Sequence, residues 1–107
     1  MAGMVVAAPA AFADGCSTDP YGKLTCTAYP ASGGFVSLHG YPRSNGVYMQ
    51  GTDSWNRPVH LDRARPGGWD GPLGAGIGQT AEMFRAGTSW RACVNVGSNR
   101  FHCTPFA

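Results

Sequence analysis

The chain reads as an all-β domain, a small antiparallel barrel or sandwich stapled by two disulfides. Three observations predict this class. Sixteen glycines and eight prolines are spread through 107 residues, so no amphipathic helical pattern longer than two turns survives between them. The stretches that remain are short and β-like in composition, and several alternate in polarity. Four cysteines, Cys16, Cys26, Cys93 and Cys103, stand as two pairs of identical C-x9-C spacing. An even count in a short exported chain reads as a disulfide framework.

Residues 1–13 differ from the rest. They carry no charge, are almost continuously small and apolar, and end in Ala11-Phe12-Ala13 before Asp14, the small-x-small pattern cut by signal peptidase. The stretch is shorter than the roughly 20 residues that span a bilayer. It lacks a basic leading region, and the true signal is expected to begin upstream. The sequence thus predicts a cleaved signal remnant at 1–13, a single mature β-rich domain at 14–107, secretion to the extracellular space and no membrane association. A domain of this size buries a limited share of its surface, so covalent clips are expected to matter.

The predicted strands run over 24–29, 34–41, 46–50, 58–62, 79–86, 89–96 and 100–106, with 79–87 the one piece that could instead be a short helix. Within 89–96, Trp90, Ala92, Val94 and Val96 point one way and Arg91, Cys93 and Asn95 the other. Asn45-Gly46 is expected to form a type I′ hairpin turn. Asp19-Pro20-Tyr21-Gly22 fits a type I turn with Gly22 left-handed, closing a three-residue hairpin loop. Counting outward from it sets Cys16 opposite Cys26 at a non-hydrogen-bonded pair, where Cα atoms are close enough to bridge. The segment 71–78 is glycine-rich and poor in core-forming residues, and is expected to be a loop, the least protected part of the domain.

The second cysteine pair leaves two registers open. A three-residue loop at Gly97-Ser98-Asn99 faces Val96 with Arg100 and Cys93 with Cys103. A type II′ turn at Gly97-Ser98 pairs Val96 with Asn99 instead, joins Phe101 and Cys103 to the Trp90/Val94 face, and sends Cys93 and Cys103 to opposite faces. Of the three possible pairings, the local one, Cys16–Cys26 with Cys93–Cys103, is favoured. A zinc site is disfavoured because C-x2-C clips are absent.

Charge excludes some partners. The net charge of +2 is too small, and too little clustered, for nucleic-acid or membrane-surface binding. Ionisable candidates for acid–base chemistry are His39, His60, His102, Asp53, Asp62, Asp70 and Glu82. The order His39, Glu82, Arg85, His102 contains the residue types used by small secreted ribonucleases, without any surrounding motif. There is no G-x-S-x-G elbow, and Gly74, Gly76 and Gly78 lack the strand, the spacing and the lysine of a nucleotide loop. No histidine pair has metal-ligand spacing. The sequence therefore points to no catalytic residue, no metal and no cofactor.

The aromatics say more. Tyr41, Tyr48, Trp55 and Trp69 lie in or beside Gly-, Pro- and Asn-rich segments, with Arg43 and Arg57 close by. Aromatics and arginines on loops are the usual anchors of interaction surfaces. Seven of the eight basic residues are arginine, the bias of a high-GC, actinobacterium-like source. In overall type, a short Ala-rich export segment before a two-disulfide, Gly- and Arg-rich domain, the chain resembles the small secreted proteins of Streptomyces and relatives. Those include protease and amylase inhibitors and adaptor subunits of secreted toxin assemblies. The resemblance is one of type and assigns no site residues. The expectation is a secreted, non-enzymatic binding protein, an inhibitor or adaptor, that meets a secreted or cell-surface protein through Tyr41, Arg43, Tyr48, Trp55, Arg57 and Trp69. A polysaccharide-binding module and a small hydrolase are the alternatives.

Overall fold

The computed structural model describes residues 14–107; the export segment expected at 1–13 lies outside them. Among the described residues nine strands form: β1 (Gly15–Thr18), β2 (Leu24–Ala28), β3 (Val36–Arg43), β4 (Gly46–Asp53), β5 (Pro58–Arg65), β6 (Gly68–Ile77), β7 (Met83–Phe84), β8 (Trp90–Gly97) and β9 (Arg100–Cys103). No helix occurs among the described residues. All pairings are antiparallel. One sheet has the order β1-β2-β3-β4-β7 and the other β6-β5-β8-β9. The sheets do not close into a barrel; they pack face to face as a sandwich.

Alternation explains the core. Cys26, Ala28, Val36, Leu38 and Met49 supply the inner face of the first sheet, and Val59, Leu61, Trp90, Ala92 and Val94 that of the second, all essentially without solvent contact. Burying these side chains is the main favourable term, at about 25 cal/mol per Å² of apolar surface removed from water. The sheets are close-packed at Gly51, where an added Cβ would come within 3.0 Å of Ala92 Cβ.

Both disulfides have the favoured local pairing, each with a Cα–Cα distance of 4.0 Å. The first hairpin forms as its turn dictates. Gly22 has φ 86°, its N–H donates to Asp19 O, and Cys16 pairs with Cys26. The second reaches the same pairing by a route neither register described. Its turn centres on Ser98 and Asn99, both with positive φ, and closes on Gly97 opposite Arg100. That turn alone would leave the cysteines out of step by one residue. A bulge between Asn95 and Gly97 absorbs the difference, so Cys93 still faces Cys103.

Three further expectations are corrected. The β3–β4 hairpin turns at Ser44-Asn45, since Arg43 pairs with Gly46. Neither turn residue has positive φ, so it is not the type I′ turn expected at Asn45-Gly46. The stretch 79–86 is not one strand or a helix: only Met83–Phe84 pairs, against Tyr48 and Met49, with one isolated bridge from Gln79 to Thr52. Most consequential, 71–78 is not a loop. Residues Gly68–Ile77 form the longest strand, β6, on the edge beside β5. An edge strand needs a ladder on one side only, so Pro72, which has no N–H, is tolerated. Two register shifts against β5 take up the glycines. Of its side chains only Leu73 packs on the core, which is why no apolar alternation marks it.

Candidate functional site

The two most exposed tryptophans are mounted in the same way at opposite ends of β5. Trp55 sits in the β4–β5 turn. Asp53, at the end of β4, is buried, and its carboxylate accepts hydrogen bonds from the N–H groups of Trp55 (3.1 Å) and Arg57 (2.9 Å) and from Arg57 Nε and Nη2 (3.1 and 2.9 Å). This is an Asx-type turn extended by an ion pair. Burial pushes the Asp53 carboxyl upward, but the hydrogen bonds from Arg57 and Trp55 outweigh it and hold the group below its ordinary value. The pinned guanidinium lies 5.0 Å from the Trp55 ring centre, within cation–π range. Gly33 lies against the same ring, and a Cβ there would collide with it. Trp55 is nevertheless 58% exposed. Beside it opens an apolar cavity of about 540 Å³, walled by Tyr29, Pro30, Phe35 and Trp55.

Trp69 is the second residue of β6, opposite Ala64 near the far end of β5. Its mount is assembled across strands. Asp62 and Arg91 are direct cross-strand partners on the outer face of the second sheet, with Arg91 Nε 2.8 Å from Asp62 Oδ2. The Arg91 guanidinium lies 4.7 Å from the Trp69 ring centre and 4.6 Å from that of Phe106. Phe106 is brought there because the C-terminal residues extend the pairing of β8: Trp90 and Ala107 exchange both backbone hydrogen bonds, each 2.9 Å. Asp62 is 3% exposed, whereas Trp69 is 53% exposed. His60 Nε2 lies 3.3 Å from Asp62 Oδ1, and the His60 ring meets Phe101 edge to face. Gly71 closes over the carboxylate so tightly that a Cβ would strike Asp62 Oδ1. The result is a cleft of about 220 Å³ with Trp69, Pro72 and Phe101 on its walls and the Cys93–Cys103 bridge among its lining.

Tyr41, Arg43 and Tyr48 occupy a third place, the outer face of the first sheet. Arg43 lies 5.9 and 4.9 Å from the two tyrosine ring centres and pairs with Glu82 at 2.6 Å. Burial raises the Tyr41 hydroxyl, and Glu82 adds to it. The expected binding residues therefore do not gather into one patch. Trp55 with Arg57, Trp69, and the Tyr41–Arg43–Tyr48 group stand apart. The two tryptophans are separated by roughly 20 Å at the usual strand rise. Asp62, Arg91, Phe101 and Phe106 were not among the expected binding residues. Alternation turns Arg91 outward, but nothing in the sequence reports that Asp62 lies opposite it.

The histidines are likewise dispersed. His39 bonds Thr52 on the first sheet, its imidazole held below the ordinary value by burial and then by Lys23. His102 lies 3.7 Å from Asp14, Glu82 pairs with Arg43, and Arg85 donates to the Thr88 carbonyl. The ribonuclease-like set is thus spread over separate partners. His60 does meet Asp62 in a cleft, but the carboxylate is already matched by Arg91, and the lining offers no further acid or base. His60, Asp62 and Cys93 bring N, O and S donors within 4.8 Å of one another. The Cys93 sulfur belongs to the disulfide and carries no thiolate, so the set is a poor metal site. Comparison with protein-family models, curated proteins and solved structures finds no match.

Proposed function

We propose that this chain is an exported, non-enzymatic binding protein, an inhibitor or adaptor, that engages a protein partner through its fixed tryptophans. One observation carries the reading: each exposed tryptophan is stacked on an arginine that a buried aspartate pins in place. Leaving two large aromatics in water while using buried carboxylates to hold them has no use in the core. Rigid aromatic anchors lose little entropy on binding, and Trp and Arg dominate the energetics of protein interfaces. The small, apolar segment at 1–13 and the two disulfides support export.

Affinity capture from the producing organism's culture supernatant tests the reading, with wild type and a W55A/W69A double variant as baits. The expected outcome is a protein retained by wild type and lost with the variant, while the melting temperature of the variant stays close to that of wild type. Retention on insoluble polysaccharide with no protein captured overturns it in favour of a glycan-binding module.

A further inference from the structure

The cleft beside Trp69 continues into a second cavity of about 360 Å³ that shares His60, Pro72 and Phe101 and reaches Ile77 and Asn95. Together they make a groove on the outer face of the second sheet, following β5 for roughly 20 Å at about 3.3 Å per residue. Its walls are apolar, with Trp69 on one side, Phe101 on the other and Ile77, 70% exposed, at one end.

Two polar side chains open to this groove, Arg91 and Asn95, donate. Arg91 uses Nε on Asp62, and neither Nη nitrogen has a hydrogen-bond partner among the described residues. The Asn95 carbonyl oxygen accepts from Gly97 N, which leaves its amide N–H groups outward. The carboxylates of this sheet are occupied: Asp62 by Arg91, and Asp70 by Arg63 and Arg65. Charge is partitioned in the same sense. The second sheet carries Arg63, Arg65, Arg91 and Arg100 against Asp62 and Asp70. The remainder of residues 14–107 holds four basic and four acidic groups and is neutral. The net +2 of the chain therefore sits on the sheet that bears the groove, with Arg91 and Asp62 on the groove side and Arg63, Arg65 and Asp70 on the side of Trp90, and at low salt that charge raises the local concentration of anionic ligands.

We propose that this groove binds an extended acidic segment of a protein partner, with a partner carboxylate received by Arg91 and the neighbouring apolar side chains laid against Trp69, Phe101 and Ile77. The proposal rests on the protein-binding reading above and names the chemistry of the partner. A sugar ring asks for acceptors as well as donors; a carboxylate is met by donors alone.

The probe is a labelled, blocked heptapeptide alternating glutamate with alanine and leucine, beside its glutamine counterpart and trigalacturonate, titrated by fluorescence anisotropy against residues 14–107. The glutamate peptide is expected to bind at least tenfold tighter than the glutamine peptide at low salt, with most of that preference lost in 0.5 M NaCl. Arg91→Gln should abolish the preference. Because that change strands Asp62, Phe101→Ala, on an exposed wall, serves as the second variant and should weaken the peptide severalfold. Lys23→Ala, in the β1–β2 loop beside the other sheet, should change nothing. Equal affinity for both peptides, no affinity for either, or tighter binding of trigalacturonate overturns the proposal. Should the peptides fail while a protein partner is still captured in a Trp55-dependent way, only the groove assignment falls. Trigalacturonate binding with no protein captured removes both.

Discussion

The Trp55 and Trp69 mounts use the same three residue types and are built on different scales. Asp53, Trp55 and Arg57 lie within five consecutive residues and form around one turn. Asp62, Arg91 and Trp69 come from three strands, β5, β8 and β6, and exist only once the second sheet has paired. A local device is held by its own loop, so it can loosen without the fold. A distributed one shares the stability of the sheet, and damage to it spreads. The two should therefore answer perturbation differently.

Removing the aspartates gives the largest contrast. Asp62→Ala leaves Arg91 enclosed between two rings with no counter-charge, and should cost about 3 kcal/mol. Thermal unfolding would show a fall in Tm of roughly 15 °C. Asp53→Ala should cost about 1–2 kcal/mol, because Arg57, 16% exposed in the folded turn, is held by that turn alone and can swing out to water once the turn opens. Its effect should be confined to faster hydrogen exchange around residues 53–57. Equal, global losses from both would break the distinction.

The disulfides sharpen it further. Each closes a short loop and should contribute about 2–3 kcal/mol on the loop-entropy estimate, so C16A/C26A and C93A/C103A should melt at similar temperatures. Only C93A/C103A should move the NMR signal of the Trp69 indole N–H, since that bridge lines the Trp69 cleft, whereas Cys26 faces the core. The Trp55 signal should stay in place in both.

Two glycines probe the mounts directly. Gly71→Ala, forced against Asp62, should destabilise the whole domain by about 1–3 kcal/mol, the usual cost of overpacking. Gly33→Ala should displace the Trp55 ring and alter its fluorescence with a smaller change in Tm. The smallest effect is acid sensitivity at Asp53. Its folded value lies below the ordinary 3.8, so its stabilisation is complete above that pH and is lost as pH falls through the lower folded value. The Trp55 environment should therefore change below about pH 3.8, and the change should be absent in Asp53→Asn.

The same difference in scale governs what could be read from the sequence. Trp55 and Arg57 were legible because their relation is written in adjacent residues, as was the β1–β2 hairpin, whose Asp19–Gly22 turn fixes the register of Cys16 and Cys26. The Cys93–Cys103 pairing was anticipated but its turn was not: a bulge adds one residue without any compositional mark. The fold class followed from punctuation by glycine and proline, and the sandwich satisfies it. β6 was invisible because an edge strand that contributes little to the core shows no alternation. With β6 unseen, Trp69 could be nominated, but its partners on β5 and β8 could not, since strand neighbours distant in sequence leave no local signal.

The irregularity of β6 also bears on how the domain behaves in company with its own copies. A ten-residue strand on a sheet margin has no strand partner on its outer side, and a flat one would recruit other chains into fibres. Pro72 removes a donor from that margin, Gly74 takes a positive φ of 60°, and the two register shifts bend the strand out of plane. These features make β6 a poor template for self-association. They also make the cleft: the close approach of Gly71 to Asp62, with Trp69 and Pro72 beside it, occurs where the ladder is irregular. Straightening β6 to improve its pairing would thus invite aggregation and close the cleft beside Trp69 in one step.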